Sequence, residues 1–138
     1  MELNAERIAV GGANAQLDTD DLAMVDDAAI ERAFDFLKAI EGHATRAKAA
    51  IAEHRERNND IEFYHDHHLA EVGPEVAGRD VADCLDRLTP VAVWFSLDED
   101  GGDWEASIDY SLGEDVTDYL LSARMAADGM VIEVTMES

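Results

Sequence analysis

The segment 90–138 constrains the fold of this chain more than any other part of the sequence. It contains four runs rich in β-branched, aromatic and other apolar residues, at 91–97, 104–112, 118–126 and 130–136. Turn residues lie between them, most clearly Gly101-Gly102 and Asp128-Gly129. Extended runs joined by such turns are typical of β-hairpins. The segment therefore predicts a four-stranded antiparallel meander.

The first 89 residues carry helical patterns instead. An apolar stripe with spacings of three and four predicts one long helix over 28–57, with a bend at Gly42. The stripe consists of Ile30, Ala33, Leu37, Ile40, Ala44, Ala47, Ile51 and His54. Asp26 and Asp27 precede it, where carboxylates can cap a helix. Two shorter helices are expected over about 60–72 and 80–88.

Together these patterns predict the α+β fold class. A chain of 138 residues with 47% hydrophobic content is long enough to bury one core. We expect a single domain over 1–138, with a mainly helical half at 1–89 and an antiparallel sheet at 90–138. The helices should pack on one face of the four-stranded meander in two layers, and residues 2–10 could add an N-terminal strand.

Strand alternation assigns a role to each face of the predicted sheet. One face is apolar and should receive the helices; it carries Trp104, Ala106, Ile108, Tyr110, Met130, Ile132, Val134 and Met136. The opposite face is acidic and carries Glu105, Asp109, Glu133 and Glu137. Arg124 is the single cation of residues 93–138. Two interpretations stay open for this acidic face, a solvated outer surface and a recognition surface.

The charge of the chain limits its partners. The formal net charge is −22, and residues 93–138 hold 12 acidic residues against one basic residue. Such a chain repels nucleic-acid phosphates and anionic lipid, so neither is expected as a partner. A basic protein is the partner that this charge favours, although an acidic surface also serves solubility, as in proteins adapted to high salt.

Histidines near the middle of the chain suggest a metal site as an alternative. His65 and His68 lie three residues apart and would share a helix face, and a fold-back near 58–59 would bring His54 close to His65. With Asp66 nearby, these imidazoles could bind zinc or another divalent ion. All three histidines also lie on or beside apolar stripes, where a hydrogen-bonded structural histidine is the alternative.

Other chemistry is not indicated by the sequence. Cys84 is the single cysteine, and its spacing from Val81, Leu85 and Leu88 favours packing on the apolar side of a helix. No recognisable catalytic motif stands in the sequence, so an enzyme is disfavoured. The N-terminal residues do not have the pattern of a signal peptide, and we expect a cytoplasmic protein.

The C-terminal motifs resemble a known family. They are the segments 109–113, 117–121, 128–129 and 136–138, preceded by an aromatic and histidine-containing helix at 63–69. This combination, over about 58–138, resembles the bacterial family named domain of unknown function 2004. The resemblance implies an α+β fold and a bacterial origin. It implies no catalytic residue, because the family has no established activity.

The leading functional hypothesis is a noncatalytic module that binds a basic protein, as an immunity protein binds a toxin, through Glu105, Asp109, Arg124, Glu133 and Glu137. The alternative is a metal-binding protein or metal-dependent enzyme that uses His54, His65 and His68. A homodimer contact through the alanine-rich helical stripe is a third hypothesis, because so regular a stripe is typical of coiled coils.

Overall fold

The computed structural model describes residues 7–55, 57, 59–98 and 103–137. The helices in these ranges are α1 (Asp27–Lys38), α2 (Ile40–His54), α3 (Asn59–Val72), α4 (Pro74–Ala77) and α5 (Val81–Arg87), with a 3-10 turn at Asp20–Met24. The strands are β1 (Arg7–Val10), β2 (Ala13–Asp18), β3 (Thr89–Leu97), β4 (Trp104–Ser111), β5 (Leu120–Ala126) and β6 (Val131–Glu137). The predicted turn at Gly101-Gly102 lies outside the described residues, and the predicted strand at 2–10 lies partly outside them.

The predicted four-stranded antiparallel meander is wrong, because the sheet of the described residues has six strands and is mixed. The strands follow the order β1-β2-β3-β4-β5-β6. β2 and β3 run parallel, with Leu17 opposite Val93, and every other neighbouring pair is antiparallel. Strand β2 therefore joins the N-terminal segment to the C-terminal part of the sheet.

Strand β2 was missed because its apolar pattern is weak. Its inward residues are Ala13, Ala15 and Leu17. They alternate with three polar residues, Asn14, Gln16 and Asp18. Ala15 and Leu17 are buried all the same, at 0% and 7% exposure. Their burial depends on pairing with a strand more than 70 residues further along the chain, which local patterning does not reveal.

The predicted long helix is also wrong in its continuity. It is broken at Ala39, not at Gly42, where the backbone leaves helical geometry (φ −101°, ψ 19°) between α1 and α2. Both halves are attached to the sheet: the Trp104 indole donates to the Ala29 carbonyl at 2.8 Å, and the Tyr110 hydroxyl donates to the Ala44 carbonyl at 2.6 Å. The break allows two shorter helices to follow one twisted sheet.

The helical layer covers the inner face of the sheet. Trp104, Ile108 and Tyr110 are almost completely buried beneath it. The alanine-rich stripe also lies in this core, since Ala33, Ala47 and Ile51 have 0% exposure. This stripe, on which the homodimer hypothesis depends, is thus occupied within the chain.

Strand β6 departs from the predicted alternation. A β-bulge shifts the register where Met125 opposes Val131 and Arg124 opposes Glu133. An extra residue changes the face on which the preceding side chains lie. Met130 and Ile132, predicted to face the core, are therefore 68% and 45% exposed, while Val131 packs against the core.

The start of α1 and the helices α3 and α5 agree more closely with their predictions, whereas the short helix α4 was not predicted. Asp26 caps α1 by accepting a hydrogen bond from the Ala29 amide at 2.9 Å. Cys84 is buried in α5, and burial, helped by the nearby charge of Asp83, raises the pKa of its thiol to about 11.

No helix in the described part of the chain is both long and apolar enough to cross a membrane.

Candidate functional site

The outer face of the sheet is the surface opposite the helical layer, and the strand registers arrange its side chains in rows. One row crosses five strands and consists of Gln16, Ala92, Asp109, Ser122 and Thr135. The next row consists of Asp18, Trp94, Ser107, Arg124 and Glu133. In the first row, small and polar residues lie on either side of the Asp109 carboxylate. The second row contains the larger side chains of Trp94 and Arg124.

Asp109 is the most unusual residue of this face. It is only 7% exposed, although it lies on the side without helices. The Trp94 indole donates to its Oδ2 at 3.1 Å, while its Oδ1 is buried and has no hydrogen-bond partner among the described residues. A buried polar atom without a partner costs about 1–3 kcal/mol, so such atoms are rare and often mark functional positions.

Burial also changes the acidity of Asp109. Removal from water raises the pKa of its carboxyl group, because the charged form loses hydration. The Trp94 hydrogen bond and the nearby hydroxyl of Ser122 oppose this effect, and the nearby charge of Glu137 reinforces it. The sheet thus holds a carboxylate that would gain from a hydrogen-bond donor or a positive charge.

A groove of about 260 Å³ lies along this part of the outer face. Gln16, Ala92, Asp109 and Ser111 form its floor, and the connection 112–119 between β4 and β5 contributes a wall that includes Glu114, Thr117 and Asp118. None of the residues that line it is basic. The groove is therefore acidic and can accept a positively charged group.

Helix α3 holds the wall of the groove in place. The Tyr64 hydroxyl accepts a hydrogen bond from the Leu112 amide at 3.2 Å and donates to the Tyr119 carbonyl at 3.1 Å. His68 Nε2 lies 2.8 Å from Thr117 Oγ1. Two side chains from one turn of α3 thereby fix both ends and the middle of the connection 112–119.

The acidic residues predicted for binding differ in their environment. The guanidinium of Arg124 lies 2.7 Å from Glu105 and 3.8 Å from Glu133. The side chain of Glu105 is only 14% exposed, whereas that of Glu133 is 55% exposed and Glu137 is also exposed. Glu133 and Glu137 are thus the accessible charges, and Asp109 and Glu105 lie deeper in the face.

The histidines predicted to bind metal are hydrogen-bonded to the protein itself. His54 Nδ1 donates to the Ala50 carbonyl at 2.7 Å, and His65 Nε2 donates to the Gly78 carbonyl at 2.8 Å. His68 uses both ring nitrogens, since its Nδ1 donates to the Tyr64 carbonyl at 2.6 Å. Asp66 is exposed. The rings of His65 and His68 are both buried.

These bonds give the histidines structural roles. Among the described residues, no group of three or more His, Cys, Asp or Glu side chains is arranged to hold a metal ion. His68 links α3 to the connection 112–119, and His65 links α3 to the segment before α5. The metal-site hypothesis stays a prediction without a contact to support it.

Sequence reasoning found the acidic face but missed the residues that shape it. Trp94 and Ser122 contact Asp109, and Tyr64 and Thr117 position the wall of the groove. A partial signal was present, because alternation assigned Asp109 to the outer face. Nothing in the local pattern indicated that this carboxylate would be buried there.

Comparisons with protein-family models, with curated proteins and with solved structures return no match to this chain. The resemblance to domain of unknown function 2004 therefore stays a prediction.

Proposed function

We propose that this protein is a noncatalytic module that binds a basic protein through the outer face of its sheet. The observation that carries the proposal is the asymmetry of the sheet. Its inner face is covered by the helices and holds the apolar core, whereas its outer face presents carboxylates. A face that is open, polar and strongly charged suits a partner of opposite charge.

The charge balance of the outer face supports a basic partner. On β4, β5 and β6 it holds four carboxylates, Glu105, Asp109, Glu133 and Glu137, against the one guanidinium of Arg124. Arg124 is already paired with Glu105 at 2.7 Å. The exposed carboxylates of Glu133 and Glu137 would attract a basic protein over distances of about 10 Å at moderate salt.

The test is capture of binding proteins from a native lysate at low and high salt, with the intact chain and two variants as baits. The first variant is Glu133→Lys/Glu137→Lys on the outer face. The second is Glu31→Lys/Asp35→Lys, which changes two exposed residues of α1 in the helical layer. Each replaces two acids by two lysines, so each takes the formal charge from −22 to −18.

Because the two variants have the same net charge, a difference in capture between them shows that binding depends on the outer face and not on the acidity of the chain as a whole. We expect the same basic protein to be captured by the intact chain and by the α1 variant, to be lost with the outer-face variant, and to be released by high salt. Equal capture by both variants, or equal loss from both, would contradict docking on the outer face.

A further inference from the structure

The groove on the outer face combines two properties that point to a particular ligand group. Asp109, Glu114 and Asp118 give it three carboxylates, and no basic residue lines it. Acidic residues alone often serve only solvation. Here, however, Asp109 is only 7% exposed, so it is more than nine-tenths buried, and its Oδ1 has no hydrogen-bond partner within the described ranges of the chain.

The position of Asp109 explains how a ligand could complete it. Its row neighbours Ala92 and Ser122 have small side chains, and Asp109 lies in the lining of the groove. Trp94 Nε1 donates to Oδ2 from one side at 3.1 Å, and no described residue pairs with Oδ1. A donor that carries positive charge would supply the missing hydrogen bond and offset the cost of the buried charge.

We propose that the groove receives an arginine side chain of the basic partner, with its guanidinium paired to Asp109. The inference rests on the proposed function and names the group that the partner presents. Guanidinium has five donors in a planar arrangement and keeps its charge when it is buried. The groove offers acceptors in several directions, from the carboxylates of Asp109, Glu114 and Asp118 and from the side-chain amide oxygen of Gln16.

The two tryptophans provide a direct measurement. The Trp94 indole N–H donates to Asp109, whereas the Trp104 indole N–H donates to the Ala29 carbonyl on the other side of the sheet. In ¹⁵N-labelled protein each gives a separate indole NMR signal, which Trp94→Phe would assign. The probe is N-acetyl-arginine amide, and the matched control probe is its neutral isostere, N-acetyl-citrulline amide.

We expect the arginine probe to shift the Trp94 indole signal in a saturable manner while the Trp104 signal stays in place. Citrulline should have no comparable effect. Asp109→Asn should weaken binding of the arginine probe by about tenfold or more, since a charge-assisted hydrogen bond is lost. Glu114→Gln/Asp118→Asn, which changes only exposed residues, should weaken it by a smaller factor. The Trp104 signal and the melting temperature show whether each variant is folded.

Three results would overturn this inference: no saturable shift with arginine, an equal shift with citrulline, or unchanged binding of the arginine probe in the Asp109→Asn variant. These results are distinguishable from failure of the proposed function. If the lysate partner depends on Glu133 and Glu137 but the arginine probe produces no shift, docking on the outer face stands and the arginine pocket is excluded.

Discussion

The Nε2 atom of His68 lies 2.8 Å from the Oγ1 atom of Thr117, and this contact joins helix α3 to the connection between β4 and β5. His68 Nδ1 donates to the Tyr64 carbonyl, so in the neutral ring Nε2 must accept the Thr117 hydroxyl proton. Thr117 Oγ1 in turn accepts from the Tyr119 amide at 3.0 Å. The wall of the acidic groove thus depends on a chain of hydrogen bonds that begins in α3.

Replacement of Thr117 tests this chain of bonds. Thr117→Val keeps the shape of the side chain but removes the hydroxyl, which leaves His68 Nε2 and the Tyr119 amide without their partner. We expect the free energy of unfolding to fall by about 1–3 kcal/mol, measured by urea denaturation. Thr117→Ser is the matched control because it keeps the hydroxyl, and it should cost less than Thr117→Val. Equal losses in the two variants would show that the hydroxyl contributes nothing.

The protonation of His68 should make stability depend on pH. Burial lowers the pKa of its ring; the nearby charge of His67 acts in the same direction, and the hydrogen bond to the Tyr64 carbonyl and the charge of Glu71 oppose them. The unfolded chain therefore binds a proton at this site more readily than the folded chain does. The stability that the neutral ring contributes is present above a pH of about 6.5 and is lost as pH falls from there through the lower folded pKa.

A titration of the histidine NMR signals measures this directly, and we expect the His68 signal to titrate below the usual range of histidine. His68→Gln should be less stable than the intact chain at pH 7.5. Its stability should also change less between pH 7.5 and 5, because the titrating ring is gone. Burial and the charge of Arg46 also lower the pKa of His43, so His43→Gln is the companion variant that divides the pH dependence between the two rings. An unchanged pH profile in His68→Gln would contradict the assignment.

Two glycines that flank α4 form a matched pair for a test of local sterics. Gly73 has φ 80° and ψ 171°, and Gly78 has φ 90° and ψ 154°, a region that is nearly restricted to glycine. A Cβ atom at Gly73 would meet nothing within 4 Å, whereas one at Gly78 would lie 2.6 Å from the Cys84 backbone nitrogen.

Gly73→Ala should therefore cost only the backbone strain, about 1–3 kcal/mol. Gly78→Ala should cost more than that, because α5 must move and the bond from His65 to the Gly78 carbonyl is disturbed. Thermal denaturation of both variants is the measurement. Similar melting temperatures would show that α5 can shift at little cost.

Asp109 should destabilise the folded protein at neutral pH. Because its folded pKa is raised, the folded chain holds this proton more tightly than the unfolded chain, and stability falls as pH rises from about 4 through the folded pKa. Asp109→Asn removes the buried charge and keeps an oxygen to accept the Trp94 bond. We expect it to raise the free energy of unfolding at pH 7, with the gain disappearing at acid pH.

The matched control for that experiment is Asp118→Asn, which changes an exposed carboxylate of the same groove. It should alter stability by no more than about 0.5 kcal/mol. A loss of stability in Asp109→Asn at neutral pH would mean that the ionised carboxylate contributes favourably to the fold. Since Asp109→Asn is expected to fold well, a loss of arginine binding in that variant could not be attributed to unfolding.

Local patterning predicted much of the secondary structure. The alternation of Trp104, Ala106, Ile108 and Tyr110 located the inner face of β4, and these residues are buried at 0–1% exposure. The limits of α3 and α5 lie within about one residue of those predicted. These features depend on periods of 2.0 and 3.6 residues, which neighbouring side chains display by themselves.

Features that depend on distant contacts were not predicted. The parallel pairing of β2 with β3, the helix break at Ala39 and the bulge in β6 each satisfy packing across the whole molecule. Ala39 is a good helix former and gives no local signal of a break. The partners of His54, His65 and His68 likewise become visible only when the helices and the sheet are in place.

The sequence by itself determined the acidity of this protein, the positions of most helices and strands, and the face on which Asp109 lies. Tertiary structure alone decided that Asp109 is buried, because its surroundings on the outer face are assembled from strands far apart in sequence. Charge and periodicity are properties of neighbouring residues. Desolvation and the pairing of each oxygen atom are properties of the assembled sheet, and they distinguish the groove from an ordinary solvated surface.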